Sequence, residues 1–177
     1  MQDNESALVV LRRAIHNEVN GQRFYSDAAH YCIDPWTKEM FASMAEEEIV
    51  HTRLLLLEYD ALTRHGRWID PDAALTSDAD VDITAITFPE DELSEELFPT
   101  QGTAGNNVDR RSDDLAALAF GINMEKMAID LYGRAAKVTE DQAAQKAYRF
   151  LVLEETRHYD QLRNQWEELA GMPFEEV

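Results

Sequence analysis

Glu48-Ile49-Val50-His51 and Glu155-Thr156-Arg157-His158 each place a carboxylate three residues before an imidazole. Residues three apart on a helix are neighbours on one face, so each pair can ligate one metal ion. A second motif, Glu-x6-Tyr, also occurs twice, as Glu18 with Tyr25 and Glu125 with Tyr132. Seven residues make nearly two helical turns, so each Glu shares a face with its Tyr. One shift of 107 positions relates all four matches: 18 to 125, 25 to 132, 48 to 155 and 51 to 158. The same shift carries Leu8 to Leu115, Leu11 to Leu118, Ile15 to Ile122, Leu55 to Leu162 and Leu62 to Leu169 without an insertion. The chain is an internal repeat of two halves, which should pack about a pseudo-twofold axis.

These polar residues fall in the apolar seams of their segments. Glu18 lies between Ile15 and Tyr25, Glu125 between Ile122 and Ile129, Glu48 and His51 between Met44 and Leu55, and Glu155 and His158 between Leu151 and Leu162. Four carboxylates and two imidazoles therefore converge on one core. Buried unpaired carboxylates cost several kcal/mol each, and the seams supply no Arg or Lys to offset them. Two divalent metals, +4 against four glutamates at -4, balance the charge. A trivalent pair with one bridging oxide, +6 against -6, balances as well, which suits metals that cycle between the two states. A metal-free ion network is the bland alternative. Without metal, the carboxylates should titrate as a coupled set with raised pKa values.

Four helical segments position these residues, at about 5–32, 35–65, 112–138 and 140–170. Asp34-Pro35 reads as cap and first position of the second helix, and Gly66 as its terminator. Ser112-Asp113-Asp114 reads as cap and acidic first turn of the third. Thr139-Glu140-Asp141-Gln142 has the pattern of a capping box for the fourth, with Gly171 after its end. The interval of about 66–111 holds Pro71, Pro89, Pro99, Gly102 and Gly105. It reads as an acidic crossover, with a short helix over 90–97. Helices of about 28 residues are roughly 42 Å long, and a crossover that rejoins the starting end must span that length. The pattern predicts an all-α, single-domain four-helix bundle of two hairpins joined by one long crossover.

Composition narrows the function. Asp plus Glu total 35 against 16 Lys plus Arg, a formal net charge of -19. This argues against a general nucleic-acid binder, which needs a basic face, and disfavours anionic membranes. Cys32 is the single cysteine, so an intramolecular disulfide and a Cys-x-x-Cys site are excluded. No apolar run approaches the roughly 18 residues of a membrane span. The first residues, Met1 to Glu5, lack the character of a signal peptide, so a cytoplasmic location is expected.

Two lone glutamates with two Glu-x-x-His pairs form the ligand pattern of di-iron and di-manganese carboxylate bundles. On these motifs the chain resembles the ferritin-like di-iron domain of the rubrerythrin family over essentially its whole length. The resemblance implies Glu18 and Glu125 as terminal ligands, one per metal, and Glu48 and Glu155 as bridges. It implies His51 and His158 as terminal ligands through one ring nitrogen each. Tyr25 and Tyr132 would hydrogen-bond a ligand carboxylate of the opposite hairpin and take part in catalysis by orienting it. Two iron ions per chain are implied, with manganese or zinc as alternatives. The implied activity is reduction of hydrogen peroxide or dioxygen, with ferroxidation and iron storage or delivery as the alternative. A homodimer is the expected assembly.

Two departures stand out. Where typical rubrerythrins carry a further glutamate three residues after the first glutamate of the third helix, this chain has Ala128, whose repeat mate is Gly21. One cysteine cannot supply the four of a rubredoxin module, so an external electron donor protein is expected. Other residues read as structural. Glu47 and Glu154 are off the seam register and expected in solvent. His16, His30 and His65 lack a repeated partner and read as surface residues. Cys32, Met40, Met44, Met124 and Met127 read as core.

Overall fold

The computed structural model describes residues 2–77 and 110–175. It has five helices: α1 (Gln2–Tyr31), α2 (Pro35–His65), α3 (Pro71–Leu75), α4 (Arg110–Val138) and α5 (Gln142–Ala170). Among the described residues all regular structure is helical. α1 packs along α2, and α4 along α5, as two hairpins. Contacts between the hairpins are far sparser and run through α1 with α4 and α2 with α5. This is the bundle of two helical hairpins that the periodicity predicts, and it is ferritin-like, as the resemblance implies. No described helix is long and apolar enough to cross a membrane.

The caps follow local chemistry. The Asp34 side chain accepts from Thr37 N, Pro35 occupies the first turn, and Gly66 closes α2 at φ 66°, where a side chain would be strained. α5 differs from its predicted start. Asp141, not Thr139, is the cap, and its carboxylate accepts from Ala143 N and Ala144 N. α4 begins at Arg110, ahead of the predicted cap. Asp114 is buried and turns instead to the α1–α2 connection, accepting from Ile33 N at 3.0 Å and Asp34 N at 2.8 Å. It thereby ties one hairpin's turn to the other hairpin.

The crossover interval begins with a short helix that the periodicity does not show. α3 is capped by Asp70 and starts at Pro71, the same Asp-Pro signal that opens α2. Lys146 of α5 pairs with Asp70 and Asp72 at 3.0 and 2.8 Å and holds α3 down. The helix expected over 90–97 lies outside the described residues.

Two apolar clusters fill the bundle. One packs Leu11, Ile15, Leu54, Leu55, Tyr132, Tyr148 and Leu151. The other packs Tyr25, Phe41, Met44, Leu118, Ile122 and Leu162. Cys32 and Met44 are buried as expected. His30 and His65 are exposed, and Met127 is exposed as well, against expectation.

Candidate metal centre

Each of the four long helices brings one part of the constellation inward. Glu18 comes from α1, Glu48 and His51 from α2, Glu125 from α4, and Glu155 and His158 from α5. All six are buried. They form two overlapping quartets: Glu18, Glu48, His51, Glu155 and Glu48, Glu125, Glu155, His158. Within each quartet, one ligand atom per residue lies within 4.8 Å of the others.

The shared members face both ways. Glu48 presents Oε2 to His51 Nδ1 at 3.1 Å and Oε1 to His158 Nδ1 at 3.3 Å. Glu155 presents Oε1 to His51 Nδ1 at 3.3 Å and Oε2 to His158 Nδ1 at 3.2 Å. Glu18 belongs to the His51 side, with Oε2 3.2 Å from that ring, and Glu125 to the His158 side, with Oε1 at 3.4 Å. In both histidines Nδ1 is the nitrogen turned to the carboxylates.

The tyrosines cross between hairpins. Tyr25 on α1 donates its hydroxyl to Glu125 Oε1 on α4, and Tyr132 on α4 donates to Glu18 Oε1 on α1. Each hydroxyl fixes one oxygen of a lone glutamate. Burial, together with the charge of the bonded carboxylate, raises both phenol pKa values well above normal, so both remain donors.

The carboxylates do not titrate alike, and this corrects the expectation of a uniformly raised set. Burial, reinforced by the charges of Glu155 and Glu48, raises Glu18 and Glu125 well above the usual range. Burial also pushes against ionised Glu48 and Glu155, but the His158 and His51 rings beside them outweigh it and lower both. Burial opposes charge on the two imidazoles, yet their carboxylate partners raise both pKa values. These opposed shifts direct protons taken up by the metal-free cluster to Glu18, Glu125 and the two rings in preference to Glu48 and Glu155.

The residues fit a pair of metals. Glu155 Oε1 is buried and accepts no hydrogen bond among the described residues, although His51 Nδ1 is near. A buried carboxylate oxygen without a donor is costly, and a cation between the carboxylates would satisfy it. The donor set of oxygens and imidazole nitrogens suits iron, manganese or zinc.

Glu47 is not the solvated residue that its register suggests. It is half-buried on α2, and its Oε2 accepts from His158 Nε2 at 2.9 Å. That bond first, and Arg157 next, lower its pKa to about 2. Its partner ring lies on another helix, so local spacing does not single it out. Glu58, which no motif in the sequence marks, is fully buried outside the cluster. Its Oε2 accepts from Ile69 N at 3.0 Å, while Oε1 has no partner among the described residues. Burial, aided by the charges of Asp141 and Asp70, raises it to about 7. Its signal in the sequence was the repeat, because the mate of Glu58 is Gln165. Ala128 packs in the apolar core one turn beyond Glu125.

The sequence model of the family described as Rubrerythrin matches residues 10–165. No curated protein matches the chain. Among solved structures, a hypothetical protein from Pyrococcus furiosus is similar at a TM-score of 0.70 and 22% identity, over 95% of this chain and 92% of that one. At that identity the likeness shows the shared fold.

Proposed function

The chain belongs to the rubrerythrin family, and from that premise we propose that it is a non-haem di-iron oxidoreductase that reduces hydrogen peroxide or dioxygen with electrons from an external donor protein. The observation that carries this reading is the pair of quartets sharing Glu48 and Glu155. Glu48 and Glu155 would bridge two iron ions, with Glu18 and His51 completing one position and Glu125 and His158 the other. When bound in the ferrous state, the pair supplies two electrons, enough with two protons to convert one hydrogen peroxide to two waters.

The chain's own residues supply position, dryness and protons. Tyr25 and Tyr132 each hold one oxygen of a terminal glutamate, leaving the other toward the cluster. The six donors are buried, so bulk water is excluded and charge interactions are strengthened. Glu18 and Glu125, with their raised pKa values, would be the carboxyls that exchange protons as charge at the site changes.

Ala128 supports the alternative of ferroxidation with iron storage or delivery, since the extra family carboxylate is missing there. The test is metal analysis followed by rapid-mixing oxidation of anaerobic, iron-loaded protein. Two irons per chain, oxidised faster by stoichiometric peroxide than by dioxygen, are expected, with His51→Ala abolishing the reaction. Iron accumulating well beyond two per chain would replace this reading with storage.

A further inference from the structure

The internal repeat predicts two equivalent metal positions, but the two histidines are held differently. His158 turns Nδ1 to the carboxylate cluster and donates from Nε2 to Glu47 Oε2 at 2.9 Å. Glu47 is fixed in turn: Arg157 Nη2 donates to Oε2 and Ser43 Oγ to Oε1, the latter at 3.1 Å. His51 likewise turns Nδ1 inward, but its ring meets the edge of Phe150, with centroids 6.2 Å apart at 89°. The repeat mate of Glu47 is Glu154, which should reach His51 if the symmetry held. Glu154 instead bonds Arg157. The mate of Arg157 is Val50, so one arginine present in a single hairpin gathers both glutamates on the His158 side.

A carboxylate on the outer nitrogen of a metal-bound histidine fixes the tautomer and makes the inner nitrogen a stronger donor, commonly worth about 10- to 100-fold in affinity. We propose that Glu47, clamped by Arg157 and Ser43, is a positioning residue for His158 and makes the two metal positions unequal, the one beside His158 being the tighter. This rests on the di-metal reading of the site. The fixed carboxylate orients the imidazole before metal arrives and holds a proton on Nε2, so Nδ1, facing the cluster, is the nitrogen that gives up its proton to an incoming metal.

The test is anaerobic titration of the full chain with ferrous iron, paired with Mössbauer spectra of the 57Fe-loaded protein. The wild type should bind in two steps separated by about 10- to 100-fold and show two quadrupole doublets. Glu47→Ala should weaken the tighter step by about that factor and draw the doublets together. Glu154→Ala should leave both steps in place. Should Glu47→Ala fail to fold, Glu47→Gln preserves the volume and an acceptor but removes the charge, and should shift the same step in the same direction. Two equal sites in the wild type, or equal losses in Glu47→Ala and Glu154→Ala, would overturn this inference and leave the di-metal reading intact. A wild type that binds no iron would overturn both.

Discussion

The α1–α2 and α4–α5 hairpins carry the same buried Glu and His residues at the same spacing yet surround them differently. Gln165 of the second hairpin donates to Thr37 Oγ1 at 2.9 Å and Asp34 Oδ2 at 3.2 Å, bracing the start of α2. Its mate Glu58 sits near the corresponding cap, Asp141, but as an ionised carboxylate it has no proton to give. Its pKa is raised instead. Val50 is exposed where the second hairpin has Arg157. The difference teaches that the repeat is strict at the buried Glu and His cluster and loose around it, where each hairpin meets its own neighbours.

The sharpest way to break the comparison is to remove carboxylates in pairs across it. Glu48→Ala or Glu155→Ala takes a shared ligand from both quartets, so each should abolish binding of both metals. Glu18→Ala and Glu125→Ala should each cost one metal, with the second retained at reduced affinity. Metal-to-protein ratios after desalting would show the pattern. If Glu18→Ala loses both while Glu125→Ala loses none, the halves are not functional equivalents.

Acidity gives the next largest effect. Glu18 and Glu125 have folded pKa values raised above their unfolded value near 4.3, and His51 and His158 above theirs near 6.5. Their contributions are full below those unfolded values and are lost as pH rises. Glu48 and Glu155 have depressed values, so their contribution is lost on acidification below about 4.3. Metal-free protein should therefore be most stable in mild acid and lose stability steadily toward pH 8. Bound metal should remove that decline, with protons released as it binds. Denaturant melts across pH, with and without metal, would check both. Apo stability that climbs from pH 5 to pH 8 contradicts the protonation pattern.

The smallest effect sharpens the comparison at Glu58. Its folded value of about 7 against an unfolded value near 4.3 means stability is lost between those pH values. Glu58→Gln, which copies Gln165, should stabilise the protein by about 1–3 kcal/mol at pH 8 and change little at pH 4.5. The reciprocal Gln165→Glu should destabilise at pH 8, because it sets a carboxylate against Asp34. Thermal melts at the two pH values decide it.

The ligand cluster was legible because its residues interrupt apolar seams at fixed intervals and do so twice. Glu18, Glu48, His51, Glu125, Glu155 and His158 meet where that register places them, and Tyr25 and Tyr132 cross to the opposite hairpin. Helix register fixes which residues share a face, but not which partner a long side chain at the rim selects. Glu47 departs from its expected solvated state for that reason: its partner is a ring 111 positions away. Asp114 was read as a first-turn acid, because a local cap and a tertiary brace use the same residue type. α3 was missed although Asp70-Pro71 repeats the signal of Asp34-Pro35, since five residues carry too little periodicity to register.

The sharing of Glu48 and Glu155 has a consequence for origin. Each quartet takes residues from both hairpins, so neither hairpin alone can complete a quartet. One hairpin nevertheless carries a lone glutamate, a tyrosine, and a Glu-x-x-His pair, which is half of every element the site uses. Two copies of a single hairpin, set face to face, would possess the full set of donors and both crossed tyrosine braces. Joining two such copies in one chain would add no ligand. It would free the rim positions to diverge, as Val50 and Arg157, or Glu58 and Gln165, now do.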